Sequence, residues 1–199
     1  MTIQHKDIPD AQRHEPKGIS TAVAGANYYA DGFGVGNWVR YQGWGQYEDS
    51  RRTVGSPAQT IATGVRTKFV CNGAYSTIER LPSDAVASAW NTANNKHVPI
   101  DEFDVYHVRV AFTAENYAGS TPYLVTEVDV GGSIGVIYTN TQPLLKSGNA
   151  QAITLSFPVY TGATYFANGG EIYLTYTGTG SCAIYKNSIL IVRESKNFV

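Results

Sequence analysis

Four histidines, His5, His14, His97 and His107, and two groups of close-set acids are the residues of this 199-residue chain best suited to chemistry. His14 stands beside Glu15, but no second histidine follows four residues on, so the spacing of a helical zinc pair is absent. His107 sits inside the alternating run VYHVRV, and His97 precedes Val98 and Pro99 in a loop. Both positions suit a surface or hydrogen-bonded core imidazole better than a metal ligand. Acids cluster at Asp101, Glu102 and Asp104, and again at Glu127 and Asp129. Paired carboxylates can hydrolyse glycosidic bonds or bind Ca²⁺ through oxygen. Neither group has the ordered spacing of a calcium loop, and acids in a loop before a strand are expected to be solvated. There is no G-x-S-x-G elbow and no Walker-type loop, and GFGVGN (32–37 region) shares only its glycines with a dinucleotide fingerprint. It reads as a turn. The expectation is a non-enzyme without catalytic residues, metal or cofactor.

The elements that would carry these residues are almost all strands. The chain has 14 tyrosines, 20 glycines and one methionine. Tyr, Thr and Val suit pleated, half-buried surfaces, while Gly, Asn and Ser supply turns. Candidate strands fall at 65–71, 105–115, 121–130, 133–140, 152–160, 170–178 and 182–194. In EIYLTYT, Ile172, Leu174 and Tyr176 share one face, and Tyr173, Thr175 and Thr177 the other. Upstream, NYYADGFGVGNWVRY reads as a strand, a glycine turn and a second strand around Trp38 to Tyr41. A short helical turn is expected only within DAVASAWNTANN, 84–95. Many strands with glycine-rich turns and no βα repeat predict an all-β fold of two packed antiparallel sheets, an antiparallel β-sandwich.

Hydrophobic content of 43% is enough for a core, and the net charge is −1 with Lys and Arg scattered. No basic stripe points to nucleic acid, and no apolar run is long enough for a membrane helix. MTIQHKDIPD has no apolar signal core. The expectation is a protein kept in the cytoplasm where it is made, or released without a signal, as on lysis. Cys71 and Cys182 form no metal pattern. They could pair if the fold joined them, but two buried free thiols are the expected state.

The stretch DIPDAQRHEPKGIS, residues 7–20, has two prolines and few side chains large enough for a core. Proline fixes φ, removes a donor and makes the preceding residue extended. Neither a long helix nor a central strand fits it.

HEPKGIS, the tyrosine-rich stretch and DGFGVGNW together resemble the N-terminal segment of short fibre and decoration proteins of tailed bacteriophages. The likeness continues through YEDS, SPAQTIATGVRTKFVCNG, Leu81–Pro82, Trp90–Asn91 and Asn95–Lys96, and Asp104 to Val110, and ends in GEIYLTYTGTGSCAIYKNSILIVRES. The second part resembles phage jelly-roll trimer modules, similar in architecture to tumour-necrosis-factor and complement-C1q heads. The resemblance implies a virion-anchoring arm over 1–40 and a jelly-roll trimerisation or head domain over 41–199. It implies a homotrimeric structural virion protein, a capsid decoration protein or head fibre, made in the host cytoplasm. The arm would hold a major capsid or other virion protein, with Ile8, Pro9 and Pro16 filling small pockets. Arg13, Glu15 and Lys17 would pair with complementary charges, and His14 lies among them. The alternative is a short tail fibre whose sandwich binds host-surface glycan or protein. A small polysaccharide-degrading enzyme is a third reading, disfavoured by the short chain and the lack of repeats. Trp44, Tyr47, Tyr173, Tyr176 and Tyr185 are trimer-interface candidates, since tyrosine is enriched at interfaces. Sandwich core and ordinary exposed aromatics account for them equally well.

Overall fold

A computed structural model describes residues 27–30, 36–39, 42–51, 58–116, 122–146 and 148–195. The upstream pattern holds two short strands, β1 (Asn27–Ala30) and β2 (Gly36–Val39), which pair antiparallel; the expected turn between them lies outside the described residues. The remaining strands are β3 (Gly43–Glu48), β4 (Gln59–Ala62), β5 (Thr67–Lys68), β6 (Ser76–Arg80), β7 (Trp90–Asn91), β8 (Lys96–His97) and β9 (Val105–Asn116). They continue with β10 (Tyr123–Asp129), β11 (Val136–Pro143), β12 (Ala150–Tyr160), helix α1 (Ala163–Asn168), β13 (Gly170–Tyr176) and β14 (Ser181–Ser195).

One sheet runs β12-β9-β14-β3-β6, with β4 also on β14; the other runs β11-β10-β13-β8-β7, with β5 also on β13. The antiparallel pairs β10–β11, β9–β12, β8–β13 and β3–β14 nest inside one another like the rungs of a single long hairpin. Rolling that hairpin over itself makes the further pairs β10–β13 and β9–β14. This connectivity is the jelly roll, two antiparallel sheets closed over one core.

Strict alternation builds that core. Val108, Val110 and Phe112 of β9 and Ile153, Leu155 and Phe157 of β12 are buried, as are Ile189 and Ile191 of β14. Across the gap lie Leu124 and Val128 of β10 and Ile172, Leu174 and Tyr176 of β13. Burying each such side chain contributes about 1.5–3 kcal/mol. Tyr138 of β11 stacks on Phe157 of β12 with centroids 4.7 Å apart, joining the two sheets at their edge strands.

Two expectations need correction. The strand expected over 65–71 shrinks to Thr67–Lys68. The Phe69 N–H still donates to Ile172 O of β13 at 2.8 Å, but at Val70 and Cys71 side chains rather than a neighbouring strand bind the backbone. Gln59 Oε1 accepts from Val70 N–H at 3.0 Å, Asn95 Oδ1 from Cys71 N–H at 2.8 Å, and Asn187 Nδ2 donates to Val70 O at 2.7 Å. The helical turn expected within 84–95 is instead the β7–β8 hairpin. Asn91 Oδ1 accepts from Ala93 and Asn94 N–H at 3.0 and 2.9 Å, a local bond that competes with helix. Trp90 enters the core, and its Nε1 donates to Cys71 O at 2.9 Å. The helix lies at Ala163–Asn168, where Gly169 at φ 76° ends it.

Candidate interaction surfaces

Alternation also fixes what the two sheets show outward, and the two outer faces differ in kind. On the β10–β13 face, Arg66 Nε lies 2.6 Å from Glu127 Oε2 and Nη2 2.7 Å from Asp129 Oδ2. Its guanidinium sits 3.8 Å from the centroid of the Tyr173 ring. Lys68 Nζ is 2.6 Å from Glu171 Oε1, and the Tyr173 hydroxyl donates to Glu171 Oε2 at 2.5 Å. Burial raises Glu171, but the Lys68 and Tyr173 hydrogen bonds outweigh it and hold the carboxyl below its ordinary range. The Gly131 N–H and Arg66 do the same for Asp129. The bond to Glu171 pushes the Tyr173 phenol up to about 12. Every charge on this face has a partner, as a solvated face permits.

The outer face of the other sheet is more apolar. Its cross-strand neighbours run Arg80–Trp44–Val192–His107–Pro158 in one row and Ile78–Gln46–Leu190–Arg109–Ser156 in the next. Ile78 is 45% exposed, and Trp44, Leu190 and Val192 are partly exposed. His107 Nε2 bonds Ser156 Oγ across β9 and β12, and Nδ1 lies 3.7 Å from Glu194 Oε1. Where the two sheets meet along one side run two uncharged edges, β12 of this sheet and β11 of the ion-paired one. None of the eight residues of β11 or the eleven of β12 carries a charge. Among the described residues, β11 pairs only with β10 and β12 only with β9. Long neutral edges are adhesive unless something covers them. An apolar cleft of about 370 Å³ adjoins their near ends, lined in part by Ile134, Ile137, Tyr160 and Thr164.

The aromatic residues expected at an interface separate in the structure. Tyr47, Tyr176 and Tyr185 are 1%, 0% and 1% exposed, so this chain itself covers them, which corrects their assignment to a surface. Tyr47 can turn inward because Gly45 has no side chain beneath its ring. Its hydroxyl accepts from Trp90 N–H at 3.1 Å and donates to Glu79. The Tyr176 hydroxyl donates to Asn116 Oδ1 at 3.2 Å. A phenol whose polar tip finds a partner inside is as much at home in a core as at an interface. Trp44 lies on the apolar outer face and Tyr173 on the ion-paired one. The arm residues Ile8, Pro9, Arg13, His14, Glu15, Pro16 and Lys17 lie outside the described residues.

The acids and histidines also sort differently from the sequence expectation. Asp104 is not a solvated loop acid; it is fully buried, with Oδ2 2.6 Å from Arg193 Nη2. Arg193 Nη1 also holds Asp84, at 2.8 and 2.9 Å, and the Tyr106 hydroxyl donates to Asp104 Oδ2 at 3.1 Å. The signal was present in SILIVRE, where Arg193 falls on the inward phase of Ile189 and Ile191, so it needs a buried acid. His97 lies in β8 rather than a loop and is buried, its Nδ1 2.8 Å from the Tyr165 hydroxyl. Burial lowers it to about 3. Cys71 and Cys182 are free and buried, and burial raises each thiol to about 12. Among the described residues, no three His, Cys, Asp or Glu side chains gather closely enough to hold a metal ion, and no helix is long and apolar enough to cross a membrane.

These elements define a jelly-roll sandwich with one ion-paired face and one on which Trp44, Ile78, Leu190 and Val192 stand among Arg80, His107 and Arg109. No protein-family model matches the chain, and no curated protein sequence is similar to it. Among solved structures it is similar to Eiger TNF from S. frugiperda, with a TM-score of 0.46, 10% identity, and 79% of this chain and 94% of that one covered. It is also similar to PRD1 vertex protein P5, with a TM-score of 0.40, 16% identity, and coverage of 86% and 81%. A third likeness is to the CBM22-1–GH10 modules of Clostridium thermocellum endo-1,4-beta-D-xylanase 10B complexed with xylohexaose. There the TM-score is 0.31, the identity 12%, and the coverage 79% of this chain and 27% of that one. The jelly-roll assignment itself rests on the strand pairing described above.

Proposed function

We propose that the protein is a structural virion protein of a tailed bacteriophage, a homotrimeric capsid decoration protein or head fibre held to the particle by residues 1–40. The observation that carries the oligomeric part is the contrast between the two outer faces. One has its charges paired and suits water. The other combines Trp44, Ile78, Leu190 and Val192 with the neutral edge of β12, beside the equally neutral edge of β11 in the facing sheet, and suits cover by further copies. A closed three-fold ring joins two different patches of one chain, and the apolar face and the adjoining edge are two such patches. The attachment part rests on the resemblance of HEPKGIS and the segments after it to phage decoration and fibre proteins. Three arms on one trimer would bind multivalently, so weak contacts per arm add up to firm attachment. The action proposed is binding without catalysis. In support, Asp104 is held by Arg193, and Glu127 and Asp129 both by Arg66.

Sedimentation should give three chain masses, and particles lacking the protein should recover it from solution only when the arm is intact. Recovery by protein lacking residues 1–40 would move the attachment to the sandwich. A short tail fibre that binds a host-surface glycan or protein is the second reading, favoured by a cleft on the ion-paired face lined by Asp129, Asn168, Glu171 and Tyr173. Imaging of whole particles separates the two by showing copies on the head or at the tail.

A further inference from the structure

Where the β10–β11 turn meets the end of α1, the structure holds a cleft of about 210 Å³. That is on the scale of a single six-membered sugar ring. Asp129, Asn168, Glu171 and Tyr173 line it, with the backbone at Val130, Gly131 and Gly169. We propose that this cleft binds a single neutral sugar ring of a surface glycan. The proposal deepens the second reading above and is independent of the trimer and of the arm.

Charge selects the ligand class. Glu127, Asp129 and Glu171 are balanced by Arg66, Lys68 and Lys96 around the cleft, and the carboxylates are already engaged by these bases or by Tyr173. A metal ion would find its carboxylates neutralised, and an anion would find its cations neutralised. A neutral ligand rich in hydroxyls meets neither obstacle.

Hydrogen-bonding capacity remains after these internal bonds. An ionised carboxylate offers about four acceptor positions. Asp129 accepts from Gly131 N–H at 2.7 Å and from Arg66 at 2.7 Å, and Glu171 accepts from Lys68 and Tyr173. About two positions on each are therefore left for hydroxyl donors. Asn168 Nδ2 donates to Val130 O at 2.9 Å, leaving its second N–H and its side-chain carbonyl. Lys96 Nζ donates to Asn168 O at 2.9 Å. The groups are thus braced by the fold before any ligand arrives, which lowers the ordering cost of binding. Gly131 and Gly132, at φ 67° and 59°, hold the turn in a conformation other residues rarely adopt and keep this wall of the cleft in place.

A single ring in so open a site should bind in the millimolar range. The test is saturation-transfer NMR on the full chain with the methyl glycosides of glucose, galactose, mannose and N-acetylglucosamine, each at roughly ten times that scale. Glucuronate and CaCl₂ are run alongside. At least one neutral glycoside should receive saturation, and the signal should fall at least fivefold in Asn168→Ala and in the cleft-filling Asn168→Phe. Asn168 is exposed, so both variants should stay folded and keep the wild-type sedimentation, with the melting temperature lowered by no more than loss of the single Asn168–Val130 hydrogen bond entails. If one variant fails to fold, the other carries the comparison, and Glu171→Gln replaces the lost one. No signal from any of the four glycosides overturns the proposal. So does a signal that survives in the folded variants, which would place the sugar elsewhere. Binding of glucuronate alone, or a rise in melting temperature with Ca²⁺ alone, would show that the cleft selects charge. All these results leave the sedimentation and arm experiments untouched.

Discussion

Arg193 Nη2 lies 2.6 Å from Asp104 Oδ2, and both side chains are almost wholly removed from water, at 1% and 0% exposure. The same guanidinium grips Asp84, 109 residues away in sequence, and so fastens the loop that follows β6 to the last strand. A buried pair costs much to desolvate and more to break, because the survivor is left uncompensated. Arg193→Met and Asp104→Asn should each lower unfolding stability by about 3–5 kcal/mol. Arg193→Met combined with Asp104→Leu should recover part of that loss. Urea denaturation with a two-state fit measures all three.

His97 makes stability depend on pH. The unfolded imidazole takes up a proton near 6.5, while the folded one is held to about 3 by burial. Between these values the unfolded chain binds the extra proton, so stability falls as pH drops through the window and is unaffected by this group above it. The slope should be roughly 1.4 kcal/mol per pH unit. His97→Gln should remove that slope, read as the difference between wild type and variant so that the acids cancel. Equal slopes from pH 6 to 4 would show that His97 is protonated in the fold.

The two thiols should be inert until the sandwich opens. Cys71 and Cys182 are buried, and their raised pKa values leave almost no thiolate at neutral pH. A chromogenic disulfide reagent should label neither in the native protein and both in denaturant, without a reductant.

The apolar outer face can be tested without touching the core. Leu190→Lys and Val192→Lys place charges beside Trp44 and His107, on the side of β14 opposite Ile189 and Ile191. The double variant should sediment as a monomer while keeping its β circular dichroism. Lys68→Ala on the other face breaks a partly exposed ion pair and should cost at most about 1 kcal/mol, with assembly unchanged. A trimer that survives the Leu190/Val192 change would remove this face from the interface.

Gly45 is a narrow test of the Tyr47 site. A Cβ there would lie 2.6 Å from the Tyr47 hydroxyl oxygen, closer than atoms can pack. Gly45→Ala should expel the ring and free Trp90 N–H, lowering stability by about 1–3 kcal/mol. Thermal melting reads it, and Tyr47→Phe, which keeps the ring and loses only the hydrogen bonds, should cost less.

The sequence by itself determined that the chain is all-β and where its long strands run. Strand alternation is a relation between residues two apart, and it is written directly in EIYLTYT and VYHVRVAF. The β1–β2 pair was legible as well, from two short runs on either side of a glycine-rich stretch of sequence. The short strands β4, β6, β7 and β8 were not, because two to five residues carry too little alternation to read. Only the tertiary structure decided which tyrosines are buried, that His97 is sealed in the core, and that Gln59, Asn95 and Asn187 serve the backbone where a strand had been expected. It alone brought Arg193 to Asp84 and Asp104, and Arg66 to Glu127 and Asp129. These outcomes depend on pairings between residues tens of positions apart, up to 117 for Asn187 and Val70. Local pattern says which face of a strand is apolar; burial and charge pairing depend on what the rolled sheet places against that face.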